Sequence, residues 1–284
     1  TYLGISVGDN GTLIIENSEI SLPKPRSIQG GDGSSIILKN SNIHTCGIYM
    51  KRAGTLKKVA EMGYDGVEFA GLFGRSADEI KALLAEYGLK AVSAHVPLAE
   101  MIEDMDKVIA TYKAIGCKYI AIPYVEEKYR PGSPDYGATL EKIAELGKKC
   151  SENGIVLMYH NHDFEFVKID GRYGLDVMYE TVPAEYLQTE LDTCWVNVGG
   201  EDPARYILKY SGRTPVVHLK DFVMKGKEKP KKLYALIGID DNGEQASEDD
   251  FSFKPVGYGV QDIPAIIAAA EKSGAQWLVV EQDN

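Results

Sequence analysis

The chain is poor in the residues that build special-purpose proteins. Its four cysteines (Cys46, Cys117, Cys150 and Cys194) stand far apart among 284 residues and form no C-x-x-C pair. That excludes a disulfide framework or zinc knuckle and leaves buried free thiols as the expectation. No apolar run approaches the roughly 20 residues that span a bilayer, so no membrane partner is expected. No signal peptide is legible, and the sequence opens at Thr1 without a methionine. The expected location is cytoplasmic, or periplasmic if a leader has been removed. Positive charge is in deficit as well: 31 Lys and Arg against 42 Asp and Glu give a formal charge of −11. A polyanion would be repelled unless basic side chains cluster on one face. The only dense basic stretch, "KGKEKPKK" at 225–232, is followed by Asp240, Asp241, Glu244, Glu248, Asp249 and Asp250. It reads as a neutralised, solvated hairpin, and no nucleic-acid partner is expected.

What is present is enough for one large core, since 44% of the residues are apolar. The first 50 residues carry a repeat. "GDNGTLIIENSEI" (8–20) and "GDGSSIILKNSNI" (31–43) align without gaps at an offset of 23, Leu13-Ile14-Ile15 against Ile36-Ile37-Leu38. The pattern resembles two rungs of a right-handed parallel β-helix, with a pair of β-hairpins as the alternative. This β-rich segment, 1–50, is expected to be separate from the rest of the chain.

From Gly54 onward the texture is alternating helix and strand, taken as one domain over 51–284. Helical periodicity at Leu56, Val59 and Met62 ends at Gly63, and a strand comes next over 66–70. The unit recurs: helix 76–87 to Gly88, helix 99–115 to Gly116, helix 136–153 to Gly154, and helix 262–273 to Gly274. The strands between them are "KAVSAHV", "KYIAIPY", "IVLMYH", "LQTELDTCWV", "TPVVHLKDF" and "QWLVVEQ". Near-continuous apolar strands joined by helices predict a parallel sheet buried on both faces. A (β/α)8 TIM barrel is the expected closure, with a doubly wound sheet as the alternative. "TCGIYM" at 45–50 is the candidate for the eighth strand. The barrel reads as incomplete: its first strand is atypical, and the sequence ends at Asn284, too soon after Glu281 to make a last helix.

In such a barrel, reactive residues gather at the C-terminal ends of the strands. Those ends hold Glu68, His95, Pro123-Tyr124, His160 with His162, Asp192, His218 with Lys220, and Glu281, including four of the chain's five histidines. Singly, a strand-end His is more often a hydrogen-bonded core residue and an Asp more often a helix cap; the convergence is the signal. Asp192, His218 and Glu281 form a mixed oxygen–nitrogen set suited to Mn²⁺, Co²⁺, Mg²⁺ or Zn²⁺. "PVGYGVQD" at 255–262 reads either as a glycine-rich loop over the mouth or as the turn into the last helix.

The segments "GTLKKVAEMGYDGVEFAG", "LKAVSAHVPL", "YHNHDFEF", "ELDTCWV", "VVHLKDF", "PVGYGVQDIP" and "WLVVEQD" together resemble the sugar phosphate isomerase/epimerase family. That family sits in the xylose-isomerase-like barrel superfamily, beside inosose dehydratases and endonuclease IV. The resemblance covers about 54–284. It implies one divalent metal held by Glu, Asp, His and Glu from successive strands, of which Asp192, His218 and Glu281 match the last three. The expected first Glu falls at or beside Tyr159-His160. His160 is the first choice for that ligand, Glu165 the alternative, and a three-ligand site the third option. The implied activity is isomerisation or epimerisation of a sugar or keto-sugar through an enediolate. Glu281 or Glu165 is the base, and His162 or Glu165 returns the proton. Glu68, His95 and Lys220 are the expected substrate-binding residues, with a salt bridge to Asp192 or Glu68 as the alternative role of Lys220. A lyase or dehydratase on keto-sugars or inositols is the second reading, and an inactive carbohydrate-binding fusion or fragment the third. The family's habit of forming dimers and tetramers implies a homo-oligomer.

Overall fold

The computed structural model describes residues 55–225 and 251–281 with their side chains. Ahead of these it describes the backbone of seven strands and the first residues of a helix. Cys46 and the basic–acidic segment beyond Lys225 lie outside the described residues. The chain divides into two compact units, Thr1–Gly66 with Leu72–Lys90, and Val67–Gly71 with Ala91–Asn284.

The first unit opens with seven strands: β1 (Leu3–Val7), β2 (Thr12–Glu16), β3 (Glu19–Ser21), β4 (Ser27–Gly30), β5 (Ser35–Lys39), β6 (Asn42–His44) and β7 (Ile48–Met50). They pair in parallel, β1-β4-β7, β2-β5 and β3-β6. Leu13 lies opposite Ile36, Ile14 opposite Ile37 and Ile15 opposite Leu38. The sequence repeat is therefore a structural repeat, and parallel pairing excludes hairpins, whose strands run antiparallel. The candidate eighth barrel strand belongs here instead, because Ile48–Met50 extends the β1-β4 sheet by pairing with β4. The unit also holds α1 (Ala53–Glu61) and α2 (Ala77–Tyr87). Ser76 and Glu79 close a reciprocal capping box at the start of α2.

The second unit is a barrel. Its strands are β8 (Gly66–Phe69), β9 (Lys90–His95), β10 (Tyr119–Ile122), β11 (Val156–His160), β14 (Gln188–Asp192), β15 (Val216–Leu219) and β18 (Trp277–Val280). In space they keep chain order without reversal. A doubly wound sheet reverses direction at a switch point, so monotonic order selects the α/β TIM barrel, seven-stranded and nearly closed. Between the strands run α3 (Leu98–Ile115), α4 (Tyr136–Glu152), α5 (Gly174–Thr181), α6 (Thr193–Val198), α7 (Pro203–Lys209) and α8 (Ile263–Ser273). The remaining strands form two antiparallel pairs: β12 (Lys168–Ile169) with β13 (Arg172–Tyr173), and β16 (Asp221–Met224) with β17 (Phe251–Lys254).

Three local outcomes differ from the expected elements. Helix α3 breaks at Asp104 (φ −154°, ψ 79°), whose Oδ1 accepts from Lys107 N–H at 3.0 Å and caps the second half. The strand read as "LQTELDTCWV" stops at Asp192, whose Oδ1 accepts from Trp195 N–H at 2.9 Å and starts α6. "TPVVHLKDF" is two strands, β15 and β16, parted at Lys220.

Gly147, in the middle of α4, shows where packing overrides propensity. Alanine there would favour the helix by about 1 kcal/mol. A Cβ, however, would lie 2.0 Å from the Tyr186 carbonyl oxygen, a backbone atom that cannot swing aside. Gly147→Ala is expected to destabilise the chain by about 1–3 kcal/mol. A denaturant midpoint equal to or above the wild type's would contradict that close approach.

Candidate metal and acid–base site

Strand alternation delivers the site. Inside the barrel, Val92, Tyr119, Ala121, Met158 and Val216 pack together, with Val156, Trp277 and Val279 against them. Two residues further along each strand, on the same face, the sequence changes from apolar to ionisable. Met158 is followed by His160, Val216 by His218 and then Lys220, and Val279 by Glu281, while β14, polar from Gln188 on this face, adds Glu190 and Asp192. Charged groups are thus stacked directly on a dry apolar plug.

Side chains clamp the ends of neighbouring strands to one another. Asn161 Oδ1 accepts from Asp192 N–H at 3.1 Å. Thr193 Oγ1 donates to the His218 carbonyl at 2.8 Å and accepts from Lys220 N–H at 3.3 Å. Gln261 Nε2 donates to the Lys220 carbonyl at 3.3 Å.

The ionisable groups then meet. His218 Nδ1 is 3.0 Å from Glu281 Oε2, Lys220 Nζ is 3.3 Å from the same oxygen, and His160 Nε2 is 4.0 Å from it. One ligand atom from each of His160, Asp192, His218 and Glu281 can be drawn from a group within 4.8 Å. Glu190, which the sequence reading missed, is fully buried; its Oε2 is 2.7 Å from His95 Nε2, 3.4 Å from His160 Nδ1 and 3.7 Å from His218 Nε2. Glu68 Oε1 lies 3.1 Å from His95 Nε2 and 3.0 Å from His218 Nε2. Lys220, an expected substrate-binding residue, pairs with Glu281, and its ammonium sits 4.8 Å over the Phe253 ring.

The electrostatics come from burial set against partners. Burial alone would lower His95, but the carboxylates of Glu68 and Glu190 outweigh it and raise it to about 9. His218 is likewise raised well above the usual imidazole value, against its burial, by Glu68 and Glu190. His160 goes the other way, lowered to about 4 by burial, and is neutral at pH 7. Burial would raise Glu190 and Glu281, yet cationic neighbours hold both well below the carboxylate range: His218 and His95 for the first, Lys220 and His218 for the second. Asp192 is pushed up to about 7, by burial despite the Lys220 ammonium.

These residues fit a divalent cation. Asp192 Oδ2, Glu190 Oε1 and His160 Nδ1 are buried without a hydrogen-bond partner. Unsatisfied carboxylate oxygens in a dry site are costly unless a cation or donor meets them. Two imidazoles and two carboxylates, from His160, His218, Asp192 and Glu281, suit Mn²⁺, Co²⁺, Mg²⁺ or Zn²⁺.

The other expected site residues take different places. Glu165 is turned into its own loop: Oε1 accepts from the Tyr159 hydroxyl at 2.6 Å and Oε2 from His162 N–H at 2.8 Å. It belongs to neither of the two ligand groups among the described residues. His162 is buried, stacks on Phe164 at 5.0 Å between ring centroids, and is held well below the usual imidazole value by burial. The loop after β17 wraps Asp221, whose carboxylate accepts from the backbone N–H of Gly257 and Gly259 at 2.9 Å and of Gln261 at 3.2 Å. Cys117, Cys150 and Cys194 are buried free thiols, the first two pushed up to about 12 by burial. Two signals for the missed residues were available. Glu190 stands two before Asp192 and so shares its face, and Asp221 precedes a glycine-rich loop that offers it backbone donors.

A parallel α/β barrel with a histidine–carboxylate cluster at the C-terminal ends of its strands defines a barrel enzyme class whose chemistry sits in that mouth. The chain belongs to the xylose isomerase-like TIM barrel family, whose model matches residues 56–284. It is similar to an inosose dehydratase of Geobacillus kaustophilus, 24% identical over 206 residues, 64% of this chain and 66% of that enzyme. The chain thus spans just under two thirds of that relative. A sugar phosphate isomerase/epimerase from Parabacteroides distasonis shares the fold at a TM-score of 0.63 and 20% identity, over 82% of this chain and 84% of that one. The probable 3-DHS dehydratase AsbF of Bacillus anthracis shares it at 0.62 and 11% identity, over 82% and 87%.

Burial pushes the Glu165 carboxyl up to about 8, against the hydrogen bonds from Tyr159 and His162, from an ordinary 4.5. A folded-state pKa above the unfolded one gives stability that is full below about 4.5 and lost as the pH climbs through about 8. Glu165→Gln removes that titration, since its amide can accept from His162 N–H and donate to Tyr159. The gap in melting temperature between wild type and variant is expected to shift in the variant's favour by at least roughly 2–4 °C as the pH is raised across this window, about 1 kcal/mol. Parallel curves would contradict a neutral, buried Glu165.

Proposed function

We propose that the chain is a metal-dependent lyase that removes water from a keto-polyol of the sugar or inositol class. The observation that carries this reading is the pairing of Glu281 with Lys220 across 3.3 Å beside the ligand group. Dehydration needs one group to take the proton next to a carbonyl and another to give a proton to the departing hydroxyl. Epimerisation needs groups on two faces, and Glu165, the second carboxylate expected for that task, has both oxygens engaged within its own loop.

His160, Asp192, His218 and Glu281 would hold one divalent ion. Such an ion supplies Lewis acidity toward the carbonyl, lowering the cost of negative charge on its oxygen. Glu281, at 27% exposure the most open carboxylate of the group, takes the α-proton. The electron pair of that C–H bond becomes a C=C bond as the neighbouring C–O bond breaks. Lys220 protonates the departing oxygen, which leaves as water. The enol left behind relaxes to a dicarbonyl, so no oxidant or reductant is needed. Proton return from Glu281 to Lys220 across their 3.3 Å contact restores both groups. The names of the dehydratase relatives support this outcome.

The second reading, isomerisation or epimerisation, shares the first proton abstraction and returns the proton instead of expelling hydroxide. The neighbour named sugar phosphate isomerase/epimerase supports it. The two part in deuterium oxide. With inosose and a panel of keto-sugars, the lyase reading predicts a dicarbonyl product by NMR, one water lost, and no turnover after chelation of the metal. Lys220→Met is expected to lower water loss by about 10²–10⁴-fold while exchange of the α-proton for deuterium continues. Interconversion of stereoisomers with deuterium uptake and no water loss would transfer the conclusion to the second reading.

A further inference from the structure

Lys220 falls in the break between β15 and β16, outside both ladders. Side chains hold its peptide groups instead. Thr193 Oγ1 accepts from the Lys220 N–H at 3.3 Å, and Gln261 Nε2 donates to the Lys220 carbonyl at 3.3 Å. Gln261 is in turn fixed at both ends: its backbone N–H donates to Asp221 Oδ1 at 3.2 Å, and its Oε1 accepts from Asn197 Nδ2 at 3.1 Å. Asp221 Oδ2 accepts from the N–H groups of Gly257 and Gly259 at 2.9 Å, and the Phe222 carbonyl accepts from that of Val260 at 2.9 Å. The strap 257–261 is thereby laced to β16, directly after the lysine. At the other end of its side chain, the Lys220 ammonium stands 3.3 Å from Glu281 Oε2, with the ring centroids of Phe253 at 4.8 Å and Trp195 at 5.6 Å.

Resting on the lyase reading above, we infer that Asp221 and Gln261 are positioning residues that hold the Lys220 ammonium where the departing hydroxyl must be protonated. A lysine is a point charge on a flexible four-carbon stem, so its tip is placed only if its base is fixed as well. In a break between two strands the backbone can pivot, and a pivot at the α-carbon is multiplied along the stem. Gln261 resists that pivot by gripping the carbonyl, and Asp221 keeps Gln261 in reach by binding its backbone N–H. An amide suits the grip because it donates to Lys220 and accepts from Asn197 at once, which neither a carboxylate nor a hydrocarbon can do. Displacing a reacting group by about 1 Å costs on the order of 10²-fold in rate. Both residues act through Lys220 and not on the substrate.

The test uses the full chain loaded with Mg²⁺, with inosose as the probe substrate in deuterium oxide. Gln261→Met keeps the side chain's length and removes both amide groups. Asn197→Leu releases the amide from its second partner and serves if the first variant does not fold. In Gln261→Met, kcat for water loss is expected to fall about 10–10²-fold with KM unchanged, while exchange of the α-proton for deuterium continues. Asn197→Leu is expected to move the same quantities in the same direction. Added to Lys220→Met, either substitution is expected to remove nothing further from water loss, because the group it positions is already gone. Crystals of either variant, without substrate, are expected to show the ammonium displaced from its 3.3 Å contact with Glu281. A further loss in the Lys220→Met background as large as in the wild type, or an ammonium still in that contact, would overturn the positioning role alone. A wild type that interconverts stereoisomers without losing water would sink the lyase reading, and the place of the ammonium in the variant crystals would then decide the positioning role by itself.

Discussion

Burying charge is the constraint on which this barrel turns. Water solvates an isolated carboxylate or imidazolium far better than protein does, and a charge moved inside must find a partner or lose its proton. Here Glu190, Asp192, His218 and Lys220 are all at least 98% buried. Each outcome expected of buried charge occurs among them and their neighbours. Glu190 and Glu281 stay ionised because cations face them. His160 and Glu165 are neutral at pH 7 because burial prevails. Asp192 sits between, pushed up to about 7. The apolar plug of Met158, Val216 and Trp277 beneath the cluster is what makes these interactions strong.

Holding such a cluster requires that strand ends not drift, and the structure ties them with short side chains. Asn161 binds the backbone of Asp192, Thr193 that of His218 and Lys220, and Gln261 that of Lys220. Asp192 has two roles. One oxygen starts α6 by accepting from Trp195 N–H, and the other is buried without a hydrogen-bond partner. The cap fixes the side chain's rotation, so the second oxygen is aimed before any ligand arrives, which is preorganisation in a literal sense. Asp221 does comparable work one step outward, gathering the backbone of Gly257, Gly259 and Gln261. A Cβ at Gly259 would lie 2.1 Å from its carboxylate.

Much of this fold was legible because its signals are local and repeated. Gly63, Gly88, Gly116, Gly154 and Gly274, read as helix ends, all adopt positive φ between 70° and 105°. The offset of 23 between the two N-terminal segments reappears as strand register, Thr12 against Ser35 and Glu19 against Asn42. What the sequence hid depends on contacts between distant segments. Cys194-Trp195-Val196 continue an apolar run and look like strand, but the cap at Asp192 turns them into helix. Glu165 looked like a site carboxylate by position, yet a hydroxyl six residues earlier and a backbone N–H three residues earlier draw it into its loop. Glu190 was hidden by its place one pleat before the strand end at Asp192, where only contacts from other strands mark it as part of the cluster.

Binding of one divalent ion by His160, Asp192, His218 and Glu281 at the barrel mouth is tested most directly by crystallography at the absorption edge of a loaded metal. Crystals of chain saturated with Mn²⁺ or Co²⁺ are predicted to show a single anomalous peak within bonding distance of those four side chains. A peak among Glu68, His95 and Glu190 instead, or no peak in the barrel at saturating metal, would contradict it.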